Sequence, residues 1–413
     1  MSEFAQTDTS SRKLATSETI SHRAVRTLVN RLTASLEHGE LAIELPGGTI
    51  VEAAGSQPGP DGHVLVKHTR AARRAMLGGS LGLADSYVDG DWDSDDLTSV
   101  IELCALNVDL DDFDRGLTPM SVFRALTRFR HKRRANSRAG SRRNIAAHYD
   151  LGNSFYAQWL DPSMTYSSAC FEGSDESLTA AQGNKFDSLA RMLDLQPGDH
   201  VLEIGCGWGA FAIHIASRYG CRVTALTVSP SQAEWAREKV AEAGLSDRIE
   251  IRLQDYRDVT GQFDKIASIE MFEAVGEEYW PVFFQSLSNR LRPGGLAGLQ
   301  VITIEHDRFD AYRRNPDFIQ MRVFPGGMLP SVEAFTQSAR KVGLKLDDAK
   351  MFGGDYAETL KRWRESFEAA WPGIVPLGFD ERFRRLWRYY LCYCEAGFRA
   401  QTISVGQFRL SPA

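Results

Sequence analysis

Glu203, Gly205, Gly207 and Gly209 stand at alternate positions in 200–209, where a short apolar run passes into residues with helical spacing, 210–216. Glycine lets the chain turn tightly and lets a ligand approach the backbone, and the helix start that follows offers unpaired N–H groups. A glycine turn alone decides nothing, because many strand–helix turns need glycine and bind nothing. Gly205, Gly207 and Ala210 also fit the dinucleotide pattern G-x-G-x-x-A, which wants an acid about 20 residues on to hold a ribose. The next strand, RVTALTVS at 222–229, ends without one, which weighs against a nicotinamide cofactor. Thr227 and Gln232, just after that strand, can instead hydrogen-bond a ribose and an amino-acid group. Gln254-Asp255-Tyr256, after the third strand, offers an acceptor for an adenine amino group and a ring to stack on it. Upstream, Tyr166 and Ser167 lie where a segment can fold over the far end of the ligand. Each has an ordinary structural role as well, Asp255 as a helix cap above all; together they favour a nucleoside ligand.

These residues need a scaffold that gathers strand ends. From 145 onward the pattern predicts strands at 200–205, 222–229, 249–254, 263–269, 296–304, 344–352 and 403–410, with helices at 209–219, 230–243, 278–292, 331–342, 357–371 and 380–400. Alternation of this kind specifies an α/β fold, a parallel sheet covered on both faces, with ligands at the carboxyl ends of the strands. In the last helix Phe383, Leu386, Trp387, Tyr390, Leu391 and Cys394 form a core stripe.

At 413 residues the chain exceeds the usual size of one domain. Residues 1–18 are Ser/Thr-rich and read as a disordered leader. Residues 19–120 carry their own apolar pattern: a hairpin across Pro46-Gly47-Gly48, then helical stretches at 70–77 and 97–106, the second capped by Asp95 or Asp96. The basic segment 121–144 holds nine Lys or Arg residues between Arg124 and Arg143 and no acid. It reads either as a solvated linker or as a contact for anionic lipid headgroups. A nucleic-acid contact lacks a stacking or groove-reading element, and the net charge of −6 argues against one. No apolar run approaches the ~20 residues of a membrane span. The six cysteines show no zinc-type pairing and are expected as reduced thiols in a cytoplasm.

With Glu203 in front, the glycine turn resembles motif I of the class I S-adenosylmethionine (AdoMet) methyltransferases. The chain more specifically resembles the cyclopropane fatty acid synthase family, including the mycolic acid cyclopropane synthases. The matching segments are 148–156, Met164-Thr165-Tyr166-Ser167, the glycine turn, 253–258, Met271-Phe272-Glu273 with Val275-Gly276, Phe324-Pro325-Gly326-Gly327 with Leu329-Pro330-Ser331, and Asp355-Tyr356. A weaker match, from Gly82-Leu83 to Trp92, extends to the N-terminal domain of the phospholipid-acting bacterial members. The resemblance implies a Rossmann-like catalytic domain over 145–413, a lipid-associated domain over 19–120, and methyl transfer from AdoMet to a cis double bond within an acyl chain of membrane phospholipid. It further implies a protein held peripherally at the inner face of the membrane, and a homodimer.

An alkene is a poor nucleophile, so the sulfonium must be aligned with it in a dry pocket. The carbocation left by transfer can be stabilised by aromatic faces, with Tyr149, Phe155, Tyr279, Trp280, Phe283 and Tyr356 as candidates. A base then takes a proton. Loss from the new methyl group closes a cyclopropane; loss from a neighbouring carbon gives a methyl- or methylene-branched chain. In the family that base is thought to be a bicarbonate held by a Cys, a Glu, a His, a Tyr and a backbone amide. Glu273, Tyr356 and Ile302 match the Glu, the Tyr and the amide, whereas Ser168 replaces the Cys and Gln300 the His. Both can still donate hydrogen bonds to an anion, but the lost imidazole weakens the case for cyclopropane as sole product. Segment 316–330, with Phe318, Ile319, Met321, Val323, Phe324 and Met328, is expected as an acyl-pocket wall or a packing loop. Two further readings stay open: a methyltransferase for another small molecule, and an AdoMet-binding module without catalysis.

Overall fold

The computed structural model describes residues 36–107 and 151–413. The leader, the basic segment, His148, Tyr149 and Asp150 lie outside the described residues. The described chain divides into two compact units, with Glu381–Tyr389 belonging to the N-terminal one.

The N-terminal unit holds β1 (His38–Glu44), β2 (Ile50–Ala54), β3 (Gln57–Val66), β4 (Trp92–Asp93), α1 (Arg70–Val88) and α2 (Leu97–Asn107). β1 and β2 pair antiparallel across the expected Pro-Gly-Gly turn, where Gly47 and Gly48 take positive φ. β3, which the sequence pattern did not reveal, pairs parallel with β1, giving the order β2-β1-β3-β4. The helix expected over 70–77 runs on to Val88, bending at Gly79, whose φ of 58° is not helical. Asp91, fully buried, is held by Arg70 at 2.6 Å and Arg74 at 3.1 Å.

The second unit is a seven-stranded sheet in the order β10-β11-β9-β8-β5-β6-β7. Its strands are β5 (His200–Ile204), β6 (Arg222–Thr227), β7 (Ile249–Leu253), β8 (Phe263–Ile269), β9 (Leu291–Ile304), β10 (Leu344–Met351) and β11 (Ile403–Pro412). β7, β6, β5, β8 and β9 are parallel; β11 runs antiparallel between β9 and β10. β5 is buried over Val201–Ile204, the uninterrupted burial expected of a strand covered on both faces. One face is covered by α3 (Leu178–Met192), α4 (Ala210–Tyr219) and α5 (Pro230–Glu242), with Leu189, Phe211, Ile215 and Ala236 in its core. The other is covered by α6 (Trp280–Arg290) and α8 (Val332–Arg340), packed around Phe272, Phe283, Phe284, Phe335 and Phe408. Burying each such side chain contributes about 1.5–3 kcal/mol.

Serine caps start three of these helices, including α3, which the sequence reading did not include. Ser177 Oγ accepts from Ala180 N–H in α3, Ser229 Oγ from Gln232 N–H in α5, and Ser331 Oγ from Ala334 N–H in α8. After β9 come α7 (His306–Arg314), which the sequence reading missed, and a π-helical turn at Ile319–Val323. α9 (Gly353–Ile374) and α10 (Glu381–Arg399) complete the chain. All six cysteines are free thiols, and no described helix is long and apolar enough to cross a membrane.

Candidate active site

The glycine turn joins β5 to α4. Gly205, Gly207 and Gly209 have φ of 84°, 52° and 91°, so all three need the left-handed region that glycine tolerates. A Cβ on Gly205 would lie 2.7 Å from the Met271 side chain, whereas one on Gly207 would meet no atom within 4 Å. The turn is thus tight on one side and open on the other. Its far wall is tied down by residues the sequence did not single out: Trp208 Nε1 donates to Asn153 Oδ1 at 2.8 Å, and Asn153 Nδ2 to Ser231 O at 3.2 Å.

The other candidates for the nucleoside lie at the ends of the adjoining strands. Thr227 Oγ1, at the end of β6, donates to Gln232 Oε1 at 3.0 Å in the first turn of α5. Gln254 N–H donates to Thr227 O, and its side chain donates to Asp258 O. Asp255 caps the turn at Tyr256–Asp258, and its carboxylate receives Arg257 Nε at 2.8 Å and Nη2 at 2.6 Å. The structural reading of Asp255 as a cap therefore holds, and its carboxylate already has a guanidinium partner. The Tyr256 ring meets Phe283 edge-on at 5.4 Å, and burial pushes its phenol up to about 12. Glu203 is buried behind the turn; burial lifts its carboxyl to about 8, and among the described residues Oε2 has no hydrogen-bond partner.

Tyr166, Ser167 and Ser168 sit in the loop before α3. Tyr166 OH bonds Tyr390 OH at 2.7 Å, and its ring lies 5.3 Å from Tyr156 and 5.2 Å from Trp363. Ser167 Oγ accepts from Lys185 Nζ at 2.6 Å. Lys185 is fully buried in α3, and burial lowers its ammonium to about 8 against the raising charge of Glu270.

Glu270, which the sequence reading overlooked, ties the remaining candidates together. It follows β8 with a φ of 48°, and one Oε1 accepts both Ser168 N–H and Gln300 Nε2 at 2.8 Å. Its Oε2 accepts Tyr356 OH at 2.6 Å. The Gln300 amide is oriented by Gln407 on β11, whose Nε2 donates to Gln300 Oε1 at 3.1 Å. Glu273 stands apart: its Oε1 accepts Ile302 N–H at 2.5 Å, and Oε2 is buried with no partner among the described residues. Burial, then the neighbouring Glu270 charge, pushes Glu273 up to about 8.

Two expectations change here. Tyr356 donates to Glu270 rather than standing beside Glu273, and the Ser168 hydroxyl donates to Ala169 O while its backbone enters the network, N–H donating to Glu270 and C=O accepting from Gln300 Nε2 at 3.3 Å. Of the donors that the resemblance gives to bicarbonate, Gln300, Tyr356 and Ile302 are thus engaged by two protein carboxylates and the Ser168 hydroxyl by Ala169 O, and the residues present do not fit that group. Of the aromatic candidates, Trp280 and Phe283 belong to the sheet core, Phe155 packs at a tilt against Phe379 at 4.9 Å, and Tyr279 faces Arg257. Only Tyr356 among the described candidates stands in the carboxylate network. In 316–330, Phe318, Met321, Val323 and Met328 are buried, and Phe324 meets Tyr390 at 6.0 Å.

A seven-stranded sheet with one antiparallel strand, and an open glycine turn flanked by Thr227, Gln232 and Asp255, define a class I AdoMet-dependent methyltransferase. The open face at Gly207 and the polar groups at the adjoining strand ends fit the cofactor, which supplies an electrophilic methyl group when bound. The chain belongs to the mycolic acid cyclopropane synthetase family, whose model matches residues 136–408. It is 40% identical over 407 residues to tuberculostearic acid methyltransferase UfaA1 of Mycobacterium tuberculosis, covering 96% of this chain and 92% of that one. It is 37% identical to cyclopropane-fatty-acyl-phospholipid synthase of Escherichia coli, covering 89% and 91%. Among solved structures it resembles the cyclopropane synthase MmaA2 of Mycobacterium tuberculosis (TM-score 0.62, 32% identity, 65% of this chain and 97% of that one). It also resembles mycolic acid cyclopropane synthase CmaA1 complexed with SAH and CTAB (TM-score 0.61, 33% identity, 65% and 97%). The protein is an AdoMet-dependent methyltransferase of this family.

Proposed function

We propose that the chain methylates the cis double bond of an acyl chain in membrane phospholipid and releases a methyl- or methylene-branched chain. The observation that carries this reading is the replacement of the family's Cys and His by Ser168 and Gln300, which join Glu270 and Tyr356 in one buried network. The network holds a carboxylate but no imidazole. The aromatic rings of Tyr166, Tyr156 and Trp363 supply dry, electron-rich surface beside it, suited to a passing positive charge. Loss of a proton from a chain carbon leaves a methyl-branched alkene; a hydride shift followed by loss from the new methyl leaves a methylene branch. Neither outcome needs a reductant. Ring closure is the second reading, favoured by the name of the Escherichia coli relative.

Thr227, Gln232, Gln254, Asp255 and Tyr256 are the groups we assign to the cofactor with Glu203 and the glycine turn, while Tyr166 and Ser167 cover its methyl end. The segment 316–330 forms a wall of the acyl site. The basic segment 121–144 holds the protein to the anionic inner face of the membrane, and two copies act together.

Deuteromethyl AdoMet and cis-unsaturated phospholipid vesicles test the reading. NMR of the recovered acyl chains is expected to show branch signals, with faster transfer on anionic than on zwitterionic vesicles at low salt. Ring-methylene signals as the only new ones would exclude a branched product.

A further inference from the structure

Glu270 sits among the donors that an exogenous anion would need. Its two oxygens take Ser168 N–H, Gln300 Nε2 and Tyr356 OH at 2.6–2.8 Å, and Glu273 takes Ile302 N–H. A bicarbonate placed among these groups would face two carboxylates and find its donors engaged. We propose that Glu270 is the chain's own general base, doing with a built-in carboxylate what a bound bicarbonate would otherwise do.

The assignment rests on the acyl-methylation reading. In that reaction the alkene's π pair forms a C–C bond to the methyl carbon while the sulfur–methyl bond breaks, its pair staying on sulfur. The resulting cation then gives a proton to Glu270, and the C–H pair forms either a new double bond or the third side of a ring. Glu270 is left as a carboxylic acid and returns the proton to solvent before the next turnover.

Three features separate Glu270 from Glu273. Glu270 has three donors on its carboxylate and Glu273 has one. The Lys185 ammonium favours the charged form of Glu270, whereas Glu270 itself disfavours that of Glu273. Glu270 also holds a φ of 48°, a conformation costly for a side-chain-bearing residue and found preferentially where function retains it. Burial raises Glu270 from its usual carboxylate value, which makes it a stronger proton acceptor.

The test compares wild type with Glu270→Gln and Glu270→Gly in carbon-dioxide-depleted buffer, with and without added bicarbonate. Wild type is expected to methylate phospholipid at the same rate in both. Glu270→Gln, which keeps the shape but cannot take a proton, should lose about 100-fold or more of the rate while binding S-adenosylhomocysteine normally by calorimetry. Glu270→Gly relieves the backbone and opens the donors, so added bicarbonate should restore at least about tenfold, on the scale of a general base. A wild type that needs bicarbonate, a fully active Glu270→Gln, or a Glu270→Gly that bicarbonate does not revive would overturn the proposal. Failure of wild type to methylate lipid under either condition would instead overturn the acyl-methylation reading, and the proposal with it.

Discussion

The glycine turn and the carboxylate network stand at the ends of two adjacent strands, β5 and β8, but they are assembled in different ways. The turn is local: its conformation follows from three glycines within five residues. The network draws Ser168, Glu270, Gln300 and Tyr356 from a loop, a strand end, a strand and a helix. Sheet register brings them together, with Gln300 opposite Ile269 on one side and Gln407 on the other. A local device can fail at one position, whereas a distributed one fails through whichever partner sets its charge.

Substitution in the turn should therefore have the largest effect on binding. Gly205→Val puts a branched side chain at a φ of 84° and against Met271. Calorimetry is expected to find no measurable affinity for S-adenosylhomocysteine in a protein whose melting temperature has dropped by several degrees. Retained affinity would mean that the cofactor does not use this bend.

The network should respond in rate rather than affinity. Tyr356→Phe removes one of three donors to Glu270, so kcat should fall roughly 10- to 100-fold, within the range spanned by general acid–base groups, with affinity for S-adenosylhomocysteine unchanged. The lost donor favoured the charged carboxylate, so the acidic limb of the pH–rate profile should move upward. A fall in affinity without a change in rate would assign Tyr356 to the cofactor instead.

The smallest effect concerns Glu203, which links the two regions through the buried charge of Lys185. Burial raises its carboxyl from the usual 4.5 to about 8. Between those values the unfolded chain has released a proton that the folded chain keeps, so this group's contribution to stability falls as pH rises. Glu203→Gln lacks that loss. Its melting temperature relative to wild type should be lowest near pH 5 and climb by a few degrees toward pH 8; a flat difference would show that Glu203 is ionised in the fold.

The same contrast explains what could be read from the sequence. Strand–helix alternation and the glycine turn are written in neighbouring residues, so the methyltransferase sheet and its cofactor end were legible. Five proposed catalytic residues were named, yet the residue joining most of them was not. Glu270 lies two residues from Phe272 in a segment that reads as a strand end, and nothing local marks its carboxylate as buried. Lys185 sits in a helix whose polar and apolar residues give no sign that an ammonium is inside. Gln407 matters only because β11 returns antiparallel beside β9. β3 escaped because its Gly- and Pro-containing start, QPGPDG, hides the alternation of a strand.

The most direct measurement follows the methyl group itself. Purified protein is incubated with methyl-labelled AdoMet and cis-unsaturated phospholipid, and the lipid is cleaved by alkali into acyl and headgroup fractions. Label confined to the fatty acyl fraction, formed in step with S-adenosylhomocysteine, is the predicted result. Label in the headgroup fraction, or cofactor consumed with none in lipid, would contradict the account.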